Sequence, residues 1–360
     1  MSKVLDIQCP ACNAPLHFNA KLGKMKCDYC DSVFDPKDLK KTDKEEVKSQ
    51  DKVVQNENYV TYNCPDCGAE IVAEENTSAT FCLYCGNTAI LKNKLSGEFA
   101  PDKIIPFKVE KEDAIKAFRE VTKGKPFAPK LFNQESNIEK ITGLYVPFWL
   151  YELEVNGSVK AVGTRVSSWT SGDRRYTKTD FYDLEREGNM IYKRVPVDGS
   201  LKLDNDLMNS LEPFYFHYLE DYNHAYLSGY YAEKYDVAKE DAVKDAEMRA
   251  IESTKKAMLN DMGNYSSKTY KSDTLVSNIV KTEYVLLPIW MVNVKYNNEY
   301  YMFAMNGQTG EFIGNIPLDK KKVVAYIYMI FAFTFALIML VSYVIFLFGG
   351  GAVWENIVIY

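Results

Sequence analysis

The chain has 360 residues, 47% of them hydrophobic and 26% charged, with a formal net charge of -6 at pH 7. That is the composition of an ordinary globular chain, and the length holds two or three folding units rather than one. An acidic balance excludes any overall attraction to phosphate, so nucleic-acid binding would need a local basic face, and none is evident.

All eight cysteines fall within the first 85 residues, as four C-x2-C pairs: Cys9/Cys12, Cys27/Cys30, Cys64/Cys67 and Cys82/Cys85. The MSKVLDIQCP start shows no charged-then-apolar signal segment, so the thiols are expected in a reducing compartment, where such pairs bind metal. Residues 9–30 and 64–85 repeat one pattern, C-x2-C-x14-C-x2-C, displaced by 55 positions. We read 1–40 as a first zinc ribbon, 41–58 as a charged linker poor in large apolar residues, and 59–95 as a second ribbon.

Residues 96–318 are expected to form a β-rich, cytosolic α+β domain. VEKEDAIKAFREVTKG (109–124) and DVAKEDAVKDAEMRAIESTKKAMLNDMG (236–263) have helical apolar spacing, the second with Asp236 as N-cap and Gly263 as stop. YVPFWLYELEVNGSVKAVGT (145–164) matches LLPIWMVNVKYNNEYYMFAM (286–305), displaced by 141 positions, with Trp149 over Trp290. Asn156-Gly157 and Asn297-Asn298 both read as tight turns, which predicts two related hairpins sharing a core, their tryptophans inside it. Turn signals in SSWTSGDRR and EREGNM divide 158–197 into a predicted β-meander, and NGQTGEFIGNIP closes the domain with a turn and short strand.

VVAYIYMIFAFTFALIMLVSYVIFLF (323–348) carries no charge over 26 residues, long enough to cross a hydrocarbon layer of about 30 Å. Lys320, Lys321 and Lys322 precede it, so we assign 319–348 as basic flank and transmembrane helix and 349–360 as a short extracytoplasmic tail. The positive-inside rule puts the N-terminal domains in the cytoplasm, as a single-pass protein of the cell membrane.

Four thiolates fill a tetrahedral shell, so both ribbon sites are expected to be structural, with two zinc ions; iron uses the same ligand set. No thiol remains for catalysis, and His17, His217 and His224 show no metal-binding or catalytic spacing. Glu152 and Glu154, the first places to look for an acid/base pair, alternate away from Trp149 and are expected to face solvent. The second ribbon has Asp66, Glu70, Glu74 and Glu75 but no Lys or Arg between Cys64 and Cys85, which disfavours phosphate. No G-x-x-x-x-G-K-[ST] loop occurs, arguing against a nucleotide-driven motor.

CPAC/CDYC and CPDC/CLYC, followed by IPFKVEKEDA, KPFAPKLF, GLYVPFWLY, LPIWMVNVKY and NGQTGE before an apolar span, resemble a family of bacterial zinc-ribbon membrane proteins over nearly the whole chain. The ribbons themselves are similar to those of transcription factor IIB. Members sometimes carry a primosomal helicase-like label, which the missing nucleotide loop contradicts here. The resemblance implies a membrane adaptor that works with phage-shock-type or flotillin-like envelope proteins. The resulting expectation is a non-enzymatic scaffold that binds other membrane-associated proteins beside the lipid bilayer. A membrane-tethered nucleic-acid-binding regulator and an enzyme of unrecognised type are the alternatives.

Overall fold

The computed structural model describes residues 4–5, 7–39, 59–63, 70–74, 77–81, 88–91, 100–134, 141–201, 203, 205–297 and 299–349. The linker 41–58 and the second cysteine set, Cys64, Cys67, Cys82 and Cys85, lie outside them, as does all but the first residue of the 349–360 tail. The architecture is α+β and sheet-rich, as expected. Strands β1 (Val4–Leu5), β2 (Leu16–Asn19), β3 (Lys24–Cys27) and β4 (Val33–Phe34) come first, then β5 (Tyr59–Asn63), β6 (Glu70–Glu74), β7 (Thr77–Phe81) and β8 (Thr88–Leu91). The domain proper runs β9 (Lys103–Ile104), α1 (Lys111–Lys123), β10 (Thr142–Ser171), β11 (Arg174–Asp198), α2 (Asn205–Ser210), β12 (Glu220–Asp221), β13 (Tyr231–Glu233) and α3 (Lys239–Asp261). It closes with β14 (Ser267–Asp273), β15 (Val276–Tyr296), β16 (Glu299–Asn306), β17 (Phe312–Gly314) and the long α4 (Lys320–Gly349). β2 to β4 form one small sheet and β5 with β6 another; every remaining strand joins a single large sheet, β7 and β8 included.

At the centre of that sheet β10 and β15 run antiparallel, Tyr145 opposite Pro288 and Pro147 opposite Leu286. Under the sequence match, 145 corresponds to 286 and 147 to 288, so these two pairs exchange about a local twofold at Val146 and Leu287. The symmetry reaches well beyond the strands. β9 lies parallel to β15 and β13 parallel to β10, at equivalent positions. Each short strand leads into a helix, and the helices open alike, VEKEDAIK at 109–116 and VAKEDAVK at 237–244. Each half is therefore short strand, helix, Pro-x-Trp strand and return strand, and each half docks its opening strand on the other half's Pro-x-Trp strand.

Polar contacts repeat the same crossing. The indole N–H of Trp149 donates to the Val237 carbonyl at 2.9 Å, and that of Trp290 to the Val109 carbonyl at 3.0 Å. Each carbonyl lies just before the N-cap of the opposite helix. The Gly199 carbonyl accepts from the amides of Asp236 (3.0 Å) and Val237 (3.1 Å); the Gly307 carbonyl accepts from Lys108 (3.0 Å) and Val109 (3.0 Å). Both tryptophans are buried in the core, as their alternation predicts. A Cβ at Gly307 would lie 2.7 Å from the Phe107 ring and 2.9 Å from Pro288, so glycine is required by close approach. Trp149, Tyr151, Leu153 and Val155 face one core with α1 and α3; Val146, Phe148 and Leu150 face a second with Met208, Leu211 and Phe214. Burial on both faces is why these strands read as nearly continuous apolar runs.

Three expectations need correction. Asn156-Gly157 is not a turn: β10 passes straight through it, Asn156 opposite Asn189 and Gly157 opposite Gly188. The equivalent Asn297 does turn, with φ 50° and Tyr296 opposite Glu299. The first return takes 50 residues from Phe148 to its partner Asp198, the second 17 from Ile289 to Asn306, so the first hairpin is 33 residues longer. Consequently 158–197 is no meander; EREGNM lies within β11, and the chain reverses once, at Gly172-Asp173. Nor is Asp236 the N-cap of α3, which is Ala238; its carboxylate accepts from the Leu201 amide at 2.7 Å instead.

Asp198 and Asn306 occupy equivalent positions. The Asn306 amide donates to the carbonyls of Leu211 (2.9 Å) and Pro213 (3.3 Å). Asp198 Oδ1 accepts from the Ser200 amide at 3.1 Å, but buried Oδ2 has no hydrogen-bond partner. Burial pushes this carboxyl up to about 7, the nearby charges of Asp236 and Glu233 adding to the shift.

Two outcomes follow from these contacts. Trp290→Phe removes the bond to Val109 and should cost about 1–3 kcal/mol in denaturant unfolding. Because the folded pKa of Asp198 is raised, its contribution is fully present below the unfolded value near 4 and is lost as pH rises through about 7. Asp198→Asn should therefore gain stability over the native chain on going from pH 4 to pH 8, by about 2–4 kcal/mol, read from unfolding midpoints at both pH values.

Candidate metal centre

Cys9, Cys12, Cys27 and Cys30 converge, with all four sulfurs within 4.8 Å of one another. The Cys9–Cys30 and Cys12–Cys27 Sγ separations are 3.6 and 3.5 Å. A tetrahedral ion with metal–sulfur bonds of about 2.3 Å sets its sulfurs about 3.8 Å apart, so the group fits such an ion with little adjustment. Two equivalent loops build it. The Asn13 amide donates to the Cys9 carbonyl (2.8 Å) and the Asp31 amide to that of Cys27 (3.0 Å); the Cys9 and Cys27 amides donate to Ala14 (2.7 Å) and Ser32 (3.0 Å). Asn13 (φ 62°) and Asp31 (φ 56°) take the left-handed conformation that turns each loop back, a role Asn and Asp tolerate. Neither C-x2-C pair could present both sulfurs to one point without that reversal.

The electrostatics favour a cation at the centre. Hydrogen bonding with the Ser32 side chain and backbone pulls the Cys30 thiol down to about 6. Cys12 is lowered by the Ala14 amide, yet its sulfur neighbours and desolvation prevail and push it up to about 12. Four sulfurs this close cannot all carry charge in the absence of a counterion; a divalent ion lets every one ionise and removes the split. Filled by four thiolates, the shell leaves no open position for substrate.

This module packs on the domain as part of its core. Leu16, Phe18, Met25 and Cys27 belong to the same buried cluster as Trp149 and Trp290. The Phe18 amide donates to the Ser228 carbonyl at 3.0 Å, and the Ser228 hydroxyl donates to the Leu16 carbonyl. Asn19 donates to Glu110 at 2.9 Å, Lys21 pairs with Glu110 (2.8 Å) and Asp113 (3.4 Å), and Lys37 pairs with Glu220 at 2.7 Å. Between module and domain lies an open cleft of about 650 Å³, lined in part by His17, Asp28, Glu110, Tyr230 and Trp290.

Among the described residues this is the single four-cysteine group. The histidines do not join it: His17 sits 3.9 Å from Asp28, the His217 and Tyr218 rings meet tilted at 4.0 Å between centres, and His224 Nδ1 meets the Tyr222 hydroxyl at 2.9 Å. Glu152 and Glu154 lie away from the tryptophans, as the alternation predicts. Glu154 accepts from Asn189 at 2.5 Å, and Glu152 lines a 390 Å³ cavity with Leu150, Lys193, Arg194, Lys281 and Glu283. What the strand alignment overlooks is the docking shelf for the module, Glu110 and Asp113 at the start of α1. The signal for that helix start is the repeated KEDA of 111–114 and 239–242.

α4 contains a 28-residue segment, Lys320–Leu347, with an 18-residue stretch of mean hydropathy 2.6 that is nowhere buried, long and apolar enough to cross a membrane. Asp319 caps it through the amides of Lys321 (3.0 Å) and Lys322 (3.4 Å). Its base is tied to the domain, where the Asp319 amide donates to Phe127 (2.8 Å), the Lys322 ammonium donates to Ala128 (2.5 Å), and the Phe127 and Tyr326 rings meet at 5.2 Å.

These features define a class: a sheet-rich α+β protein with a four-cysteine group able to hold a metal ion and one C-terminal apolar helix. The chain is 35% identical to the uncharacterized protein YdjG of Bacillus subtilis (strain 168) over 341 residues, covering 81% of this chain and 99% of the relative. It belongs to that protein's family. No family model matches the chain. No solved structure matches it.

Substituting Cys27→Ser should lower bound metal, measured by elemental analysis of the purified chain, by one ion. It should also raise proteolytic cleavage within 7–39, since metal binding supplies most of the folding free energy of so small a module.

Proposed function

We propose that this protein is a membrane-anchored scaffold whose zinc-ribbon module and α+β domain hold partner proteins at the cytoplasmic face of the cell membrane. The observation that carries the reading is the closed four-thiolate group seated on a domain whose last element is a long apolar helix. A full coordination shell offers shape and rigidity rather than chemistry, and the metal in this reading is zinc in a structural role. Cys64, Cys67, Cys82 and Cys85 hold a second ion by the same spacing. The helix crosses the bilayer once, with Lys320, Lys321 and Lys322 on the cytoplasmic side. Because the base of α4 is hydrogen-bonded to Phe127 and Ala128, the domain would be held in a set orientation to the membrane rather than swing on a tether. The protein is not an enzyme in this reading, and its partners are membrane-associated proteins of the phage-shock or flotillin type.

Crosslinking in intact cells followed by recovery of the full chain should yield a stoichiometric membrane-associated protein, and recovery of none would defeat the scaffold reading. Protease added outside sealed cells should leave residues 1–318 intact. Their digestion would reverse the assigned orientation.

A further inference from the structure

The outer part of the long β10–β11 hairpin has no counterpart in the second repeat and, among the described residues, no cover. β14 flanks β10 as far as Thr164; from Arg165 outward two strands remain, and every residue from Arg165 to Thr179 is exposed. β11 hydrogen-bonds to β10 alone among the described strands, so its outer edge is open. A bare two-stranded ribbon is marginal in water, and soluble proteins ordinarily cover or blunt an open edge. This one instead carries aromatic side chains, with Trp169 50%, Tyr176 43% and Phe181 72% exposed.

The order of charge along β11 says what covers it. Alternate residues share a face, and from 175 to 187 by twos that face reads Arg, Thr, Thr, Phe, Asp, Glu, Glu. It is basic at one end, acidic at the other and apolar in the middle, which is the pattern of a strand complementary to itself when reversed. A twofold axis perpendicular to the sheet at Phe181 sets Phe181 against Phe181 of the second copy and Arg175 against its Glu187, twice over. No like charges then face each other along the paired strands. Moving the axis by one residue fails in both directions: centred on Asp180 it opposes Arg174 to Arg186 and the two Asp180 carboxylates to each other. Centred on Tyr182 it opposes Lys178 to Arg186. Like charges directly across a ladder are destabilising, so one register is selected. Asp183 and Glu185 already meet Lys271 (2.7 Å) and Lys160 (3.4 Å) within their own sheet. Arg175 and Glu187 have no ion-pair partner among the described residues.

We propose that the arm is a dimerisation element: β11 strands of two copies of this chain pair antiparallel, edge to edge, about a twofold at Phe181, joining their sheets into one. The pairing is independent of the scaffold reading, and its test does not depend on recovering any other protein.

The test is the mass of the full chain in detergent micelles at micromolar concentration, with metal content and far-UV circular dichroism confirming the fold of each variant. The native chain should be dimeric. Because the twofold uses each residue twice, Arg175→Glu and Glu187→Arg should each weaken the dimer at least tenfold. An equimolar mixture of the two single variants should form heterodimers, and the double variant R175E/E187R should restore the homodimer. A monomeric native chain would overturn the proposal. So would a dimer that survives both single reversals, as one held through α4 would, or a double variant that stays monomeric.

Discussion

Everything else in the domain hangs on the antiparallel pairing of β10 with β15 about the twofold at Val146 and Leu287. Each of these strands alone would have two apolar faces and unsatisfied backbone groups along both edges. Paired, each offers its outer side to the opening strand of the opposite half, β13 on β10 and β9 on β15. Trp149 and Trp290 then reach across to the helices that follow those opening strands. Each half keeps its own hairpin, β10 with β11 and β15 with β16, but its opening strand and tryptophan dock on the other half, so the two share a core and fold together.

That interlocking determines where the four-cysteine module can sit. α1 begins where Trp290 holds Val109, and its first turn presents Glu110 and Asp113 to Asn19 and Lys21 of the module. The loop leading into β13 presents Ser228 to Leu16 and Phe18. Both docking points are thus set by the opening strands of the two repeats. The module contributes Leu16, Phe18 and Met25 to the common core in return, so an ion held by its four cysteines would brace the domain as well as the module. At the opposite end of the chain, the hydrogen bonds from Asp319 and Lys322 to the 127–128 loop bind the apolar helix to the same body.

Departures from the twofold are where the molecule becomes specific. Asn306 satisfies its amide with two carbonyls, whereas its equivalent Asp198 buries an unpartnered carboxylate oxygen. Asn297 turns, whereas Asn156 runs on into a projecting arm. A duplicated scaffold needs its symmetric contacts for stability, so its asymmetric additions are free to serve interaction.

Much was legible in the residues themselves. The C-x2-C spacing brings Cys9, Cys12, Cys27 and Cys30 to one point because each short loop reverses locally, with no help from the rest of the chain. The run 323–348 reads as a long apolar helix because no charged residue interrupts it. Alternation around Trp149 and Trp290 gave their core face, because the period of a strand is a local property. Asn156-Gly157 does not turn, because a turn dipeptide states what the backbone tolerates, while pairing decides what it does. Opposed by Gly188 and Asn189 in a long ladder, those two residues extend. Which half docks on which, that Ser228 and Glu110 would carry the module, and that β11 would keep an open edge were decided by tertiary structure alone. Each depends on contacts between residues more than eighty positions apart or, among the described residues, on the lack of a further strand beside β11, and neither leaves a local pattern in the chain.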